Sequence, residues 1–402
     1  MRIMKLYINK KDSVKGRKIV ADDMILTKDL PTTAGSKMLD GYVSLFEAEV
    51  VTKLNNAGFD VFAKANTGEF NLDLLGETSY YGETEEDGVL KNACAEILKN
   101  GEAEAAIAVD VNGTPRRAAA LANLAYIKPT YGTVSRYGTI PAACSGECVG
   151  VMAKNAEAIS EVLSVIAGHD DKDGTSLPED KCAMLKADAK AEPIKKLAVA
   201  KSLVALADEE TKKLIEAAVN KAEKSGATVV EIDADELLLA KPAWNTLMSA
   251  ELCNNVSRYD GIKYGHRAKE YNDIDELYTN SRTEAFGYLT KSTILYGSET
   301  LSDDNYMKVY DKSLRIRRII SEYMYKTFEE FDAILAPVCS KRSYSVDEAK
   351  NNPYIAYDES VFTAPASVTG MPAAVSGGVQ IIGKPLSENS LLGLASIIGK
   401  ED

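Results

Sequence analysis

Apolar and polar positions along the chain repeat with two periods. Over 47 to 57, EAEVVTKLNNA, the residues Val50, Val51 and Leu54 recur at helical spacing. Gly58 stops that helix, and FDVFAK follows as a short strand. The same order returns at 209 to 232, where EETKKLIEAAVNKAEKSG leads into ATVVEID, and at 315 to 338, where RIRRIISEYMYKTFEEF leads into DAILAPV. Helices alternating with short apolar strands predict a layered α/β fold around a buried, largely parallel sheet. Residues 171 to 195 are polar, contain Gly174 and Pro178, and read as a surface connection. No repeat, low-complexity tract or long linker divides the 402 residues, so residues 1–402 are expected to form one large domain.

Composition narrows the class. With 45 % hydrophobic and 27 % charged residues the chain is an ordinary globular protein, which excludes disorder, collagen and a disulfide-stapled miniprotein. No apolar run is long enough for a membrane span, and MRIMKLYINKKDSVKGRK has no secretory core, so a cytoplasmic location is expected. Cys94, Cys144, Cys148, Cys182, Cys253 and Cys339 then read as reduced thiols. A net charge of −13 argues against direct nucleic-acid binding. Only His169 and His266 are present, and neither has neighbours that look like a triad or a metal site. The Cys144–Cys148 spacing lacks a second ligand pair, so neither a metal nor a cofactor is expected. Arg315, Arg317 and Arg318 make a basic helical face, read as solvated, with contact to a partner or tRNA as the alternative.

The most informative stretch is 110 to 150, DVNGTPRRAAALANLAYIKPTYGTVSRYGTIPAACSGECVG, rich in Gly, Thr, Ser, Tyr and Pro and expected to be loop-heavy. Its KPTYGTVSRYGTI core resembles the amidase-signature family, in particular the A subunits of bacterial glutamyl-tRNA(Gln) amidotransferases. AGHDDKDGTS (167–176), NNVSRYDGIKYGHRA (254–268), SRTEAFG (281–287), FTAPASVTGMPA (362–373) and VQIIGKP (379–385) continue the resemblance in order. It covers nearly the whole chain, except for a leading helical segment that the family has and a shortened loop near 374 to 378. It implies an α/β amidase-signature fold, a large mixed β-sheet with helices on both faces. It also implies amide hydrolysis by a Ser-Ser-Lys triad, in which a lysine base works through a relay serine on a nucleophilic serine.

Transferred residue by residue, the resemblance puts the nucleophile at Thr114, the relay serine at Leu90 and the lysine at Ala21. Two of these side chains hold no transferable proton. Val89, Asn92, Ala93 and Asn112 stand where the family has glycines, and Pro115 deletes one N–H. Lys91, one position beyond Leu90, is the candidate substitute base for a Thr-Lys dyad. Lys64 matches a scaffold lysine, and Cys94, Cys144 and Cys148 are read as core packing beside the old site. The positions that hold a glutamine substrate in the family fall on Trp244, Thr293 (or Ser292) and Ser360, with Asp358 and Glu359 nearby on an assumed strand. No charge remains there for a carboxylate or an ammonium. The expected protein is therefore a catalytically degenerate relative of the amidotransferase A subunits. It would serve as scaffold or binding partner to a protein like the B or C subunits of those enzymes, or to an active amidase. Two alternatives stay open: an amide hydrolase rebuilt on Thr114, in which Lys91 aims at it, and a non-hydrolytic amide-ligand binder. Trp244 as a plug of the old pocket and Trp244 as plain core packing also stay open.

Overall fold

The computed structural model describes residues 4–186 and 192–400. Within them the strands are β1 (Tyr7–Lys10), β2 (Arg17–Asp22), β3 (Phe59–Ala65), β4 (Glu85–Glu86), β5 (Val89–Leu90), β6 (Ala105–Asp110) and β7 (Ala125–Lys128). They continue with β8 (Cys148–Ala153), β9 (Lys196–Ala200), β10 (Thr228–Ile232), β11 (Ala333–Pro337), β12 (Ala373–Ser376) and β13 (Val379–Gly383). Apart from the β4–β5 hairpin they form one sheet in the order β1-β3-β2-β6-β8-β7-β12-β13-β11-β9-β10. The helices used below are α1 (Glu49–Asn56), α2 (Ala93–Lys99), α3 (Thr114–Ala122), α4 (Glu209–Lys224), α5 (Ala240–Asn255), α6 (Ile274–Ala285), α7 (Tyr288–Thr300), α8 (Asp311–Glu330) and α9 (Ile355–Thr369).

The three helix-strand units read from periodicity are α1–β3, α4–β10 and α8–β11. The sheet between them is mixed. β2 runs parallel to β3 and β6, and β9 parallel to β10 and β11. The pairs β1–β3, β6–β8, β7–β8, β7–β12, β12–β13 and β11–β13 are antiparallel. The largely parallel sheet expected from periodicity is thus corrected, and the mixed sheet implied by the resemblance is present. The reason is burial. Every residue of β3, β6, β7, β8, β11, β12 and β13 is buried, so these strands lose the alternation that marks a one-sided antiparallel sheet. Neighbouring residues feed opposite faces: Ile19, Ala21 and Ile107 join one apolar cluster, Val20 and Ala106 the other.

The 110 to 150 stretch is more regular than its composition suggests, since it contains α3, β7 and the start of β8. Its irregular part, 129 to 147, is clamped by the 167 to 176 motif. Asp170 accepts from Ser135 Oγ at 2.6 Å and Asp173 from the Arg136 N–H at 2.8 Å. The shortened loop near 374 to 378 is a hairpin turn on Gly377 and Gly378, at φ +57° and +79°, a pair of positive dihedrals that glycine adopts without strain. The 171 to 195 connection carries short helical turns at Glu179–Cys182 and Ala183–Leu185, and residues 187–191 lie outside the described ones. On α8, Arg315 pairs with Asp311, Arg318 with Glu322, and Arg317 donates to the Ser145 carbonyl. Among the described residues no helix is long and apolar enough to cross a membrane.

Candidate functional site

β6 ends at Asp110, and the chain turns through 111–113 into α3, whose first residue is Thr114. Pro115 suits this place, because the first turn of a helix needs no N–H from it. Gly113 lies at φ +86°, and a Cβ there would stand 2.5 Å from the Thr363 side chain on α9. Only glycine fits, and it fits because α9 presses directly on the loop. Thr114 is 2 % exposed, and its hydroxyl donates to the Asp73 carbonyl at 2.6 Å.

Two buried arginines fix this arrangement. Arg116 forks onto Asp110, Nε to Oδ2 at 2.8 Å and Nη2 to Oδ1 at 3.0 Å, and also donates to Thr363 O and Ser367 Oγ. Arg117 donates to the carbonyls of Asn112 (2.8 Å), Asp73 (2.9 Å) and Leu74 (3.1 Å) and to Thr363 Oγ1 (3.3 Å). The guanidinium therefore joins three segments, the 72–75 loop, the 111–113 turn and α9, around Thr114. A planar cation with several donors suits a cradle of carbonyls.

The other two triad positions lie in packed surroundings. Ala21 is fully buried in β2, in register with Lys64 on β3 and Ile107 on β6. Beyond it, Asp22 accepts from the N–H groups of Val109 (2.7 Å) and Met24 (3.0 Å) and from Asn71 Nδ2 (2.8 Å), and burial pushes its carboxyl up to about 6. Lys64 donates to Ile25 O and Thr32 Oγ1, with Asp23 at 3.8 Å; burial lowers its pKa, and these contacts tie β3 to the 23–32 segment.

Leu90 is not in a glycine loop. It ends the β4–β5 hairpin, turned on Asp87 and Gly88 at φ +50° and +78°. Its side chain packs in a cluster with Ala93, Cys94 and Tyr344, and its N–H donates to Tyr344 O. Lys91 points elsewhere than Thr114. Its ammonium lies 3.6 Å from Glu86, and it lines a groove of about 80 Å³ with Asn92, Glu96, Lys99 and Arg342. Cys94 and Cys148 are buried with their thiols pushed up by burial. Cys144 is half-buried and accepts from Asn255 Nδ2 at 3.4 Å.

The three matched substrate positions do come together, on α5, α7 and α9. Ser360 donates to Tyr357 O (2.7 Å) and meets Asn245 Oδ1 (3.3 Å), the neighbour of Trp244. Thr293 donates to Leu289 O (2.7 Å) and shares a short hydrogen bond with the Tyr357 hydroxyl. Trp244 is wholly buried, and a Cβ on Gly146 would stand 2.3 Å from its ring, so the indole occupies the room that glycine leaves. The strand assumed at 358–360 is instead a turn of α9. There Asp358 pairs with Lys241 at 2.8 Å, and Glu359 accepts from Ser340 N and Oγ. Ser292 only caps back onto Leu289 O.

Sequence reasoning missed Asp73, Arg117, Gly146 and Thr363; the one visible sign was a second arginine inside an alanine-rich helix. Asp73 Oδ2 accepts from Thr78 N (2.9 Å) and Oγ1 (2.8 Å), while Oδ1 is buried without a partner. Burial, with the charge of Glu77 adding, holds this carboxyl well above the usual carboxylate range. An acid whose pKa is raised on folding destabilises the fold as pH climbs from the unfolded value, ~4, towards the folded one. Asp73→Asn keeps the acceptor for Thr78 and removes the ionisation. Thermal unfolding should show the variant gaining on the wild type steadily from about pH 4 through neutrality, by roughly 1–3 kcal/mol. A gap that closes with rising pH would contradict this.

The family model described as Amidase matches residues 15–392. The A subunit of the glutamyl-tRNA(Gln) amidotransferase of Caldanaerobacter subterraneus subsp. tengcongensis is 33 % identical over 400 residues, covering 94 % of this chain and 81 % of that protein. The protein of the same description from Coxiella burnetii is 35 % identical over 411 residues, covering 95 % and 83 %. The crystal structure of the A subunit of the Thermotoga maritima glutamyl-tRNA(Gln) amidotransferase superposes with a TM-score of 0.80 at 26 % identity, over 98 % of this chain and 87 % of that one.

Proposed function

Since this chain belongs to the amidase signature family, we propose that it is a catalytically degenerate relative of the amidotransferase A subunits, acting as a scaffold or binding partner. The observation that carries the reading is the closure around Thr114: its hydroxyl is bonded to a main-chain carbonyl, the side chain is buried, and α9 stands against Gly113 in the turn that leads into it. Relay and base positions hold Leu90 and Ala21, neither of which moves a proton. The dyad alternative is disfavoured by Lys91, which faces Glu86. The ligand-binding alternative is disfavoured by the burial of Trp244, Thr293 and Ser360, with the Thr293 and Ser360 hydroxyls taken up by Leu289, Tyr357 and Asn245.

The relatives are by name components of an amidotransferase, so the partner we favour is a protein like the B or C subunits of such an enzyme, with an active amidase as the second choice. A cytoplasmic setting belongs to the same proposal, and no metal or cofactor is part of it. The test is incubation of the purified protein with glutamine, asparagine and simple aryl amides, following ammonia or arylamine release. Release should stay at the level of a protein-free control. Turnover that disappears in Thr114→Ala would replace this reading by the rebuilt hydrolase.

A further inference from the structure

Leu45 is 92 % exposed, with Val43 at 47 % and Phe46 at 40 % beside it in a short loop. An isolated exposed leucine is ordinary; a run of this kind is not, unless something covers it. Phe46 is held in place against the Tyr137 ring, centroids 5.2 Å apart, so the run is presented on a fixed base.

The same side of the molecule carries the loop 258–271. His266 N donates to Met38 O at 2.8 Å, and a Cβ on Gly265 would stand 2.6 Å from that oxygen, so the loop lies directly on the segment leading to Val43. Its exposed side chains include Ile262, Tyr264 and Tyr271. Within the loop Arg258, Lys263, Arg267 and Lys269 outnumber Asp260 and Glu270, on a chain whose net charge is −13. The Arg258 guanidinium donates to the Asn255 carbonyl at 3.0 Å, and Glu284 of α6 meets His266 at 2.6 Å, which leaves Lys263, Arg267 and Lys269 as the outward cations. Asp260 is engaged locally, accepting from the Ile262 N–H at 2.8 Å. Arg267 is oriented by Tyr271, to whose hydroxyl it donates at 3.0 Å while standing over the ring. No ion pair within the chain takes up these four cations among the described residues, in contrast to Arg315 and Arg318 on α8.

Aromatic side chains and arginine are enriched where proteins meet, and unpaired cations select for opposite charge. We propose that residues 43–46 and 258–271 form a docking surface for an acidic, amphipathic segment of another protein, its apolar face on Leu45 and Tyr264 and its carboxylates on Lys263 and Arg267. The proposal rests on the scaffold reading and names the chemistry of its partner.

The probe is a short fluorescent peptide in which glutamates alternate with leucine pairs, titrated by anisotropy against the full chain. Binding should weaken at least about tenfold in Lys263→Glu/Arg267→Glu and likewise in Leu45→Ser, and should fall as salt is raised. These side chains are exposed, and unchanged thermal unfolding of the variants verifies that the fold is kept. Equal binding by the variants, or by a peptide with lysine in place of glutamate, would overturn the proposal. So would tighter binding of oligouridylate, which marks a nucleic-acid surface, or a dimer abolished by Leu45→Ser, which marks a second copy. Amide turnover in the assay above would remove the scaffold reading and leave this binding result standing.

Discussion

Arg117→Met should destabilise the fold by about 4 kcal/mol, far more than Thr114→Ala, for which about 1 kcal/mol is expected. Methionine keeps most of the volume but none of the donors. The Leu74 carbonyl then loses its Arg117 hydrogen bond in the interior, and those of Asn112 and Asp73 each lose a charged donor. Urea denaturation of the two single variants checks the order. If Arg117→Met unfolds like the wild type, the guanidinium is not what closes the site. A working nucleophile would show the opposite profile, with the hydroxyl dispensable for folding and the activity lost.

Restoring the triad should fail, and this is the second large effect. The triple variant Ala21→Lys/Leu90→Ser/Thr114→Ser is expected to remain at background turnover. It should also unfold more easily than the wild type. The new lysine enters a fully buried strand position, in register with the buried Lys64, so a second ammonium is forced beside the first. The new serine at 90 sits on a hairpin, and its hydroxyl replaces an apolar group packed against Tyr344. The serine at 114 inherits the Asp73 carbonyl as partner. Oxyanion donors supply about 3 kcal/mol each, and Pro115 offers none, so a misformed turn alone costs orders of magnitude in rate. Turnover in the triple variant that depends on all three changes would show that the catalytic backbone had survived. It would contradict the packing of α9 on Gly113.

Much of the fold was legible because its signals are local. The units at 47–65, 209–232 and 315–338 announce themselves by helical spacing, a stop and an apolar strand. The direction of the strands was not legible, because a strand buried on both faces reads the same in either sense. The β4–β5 hairpin is encoded by Asp87-Gly88, a pair that adopts the two positive dihedrals of a tight turn, at a place where the resemblance implies a glycine loop. The motifs from which the family's triad is transferred to Ala21, Leu90 and Thr114 were readable in the sequence. What fills the space around them was not. Thr114 meets Asp73, Arg117 meets Thr363, and Trp244 meets Gly146, partners separated by dozens to hundreds of residues and joined only by the packing of α5 and α9 on the sheet.

The central claim is that Thr114 is a buried structural hydroxyl and not a nucleophile. It is tested most directly without choosing a substrate, by exposing the folded protein to a fluorophosphonate probe that modifies activated hydroxyl nucleophiles and recording the intact mass. The account predicts an unchanged mass, in the wild type and in Thr114→Ser alike. A stoichiometric adduct that maps to Thr114 would contradict it.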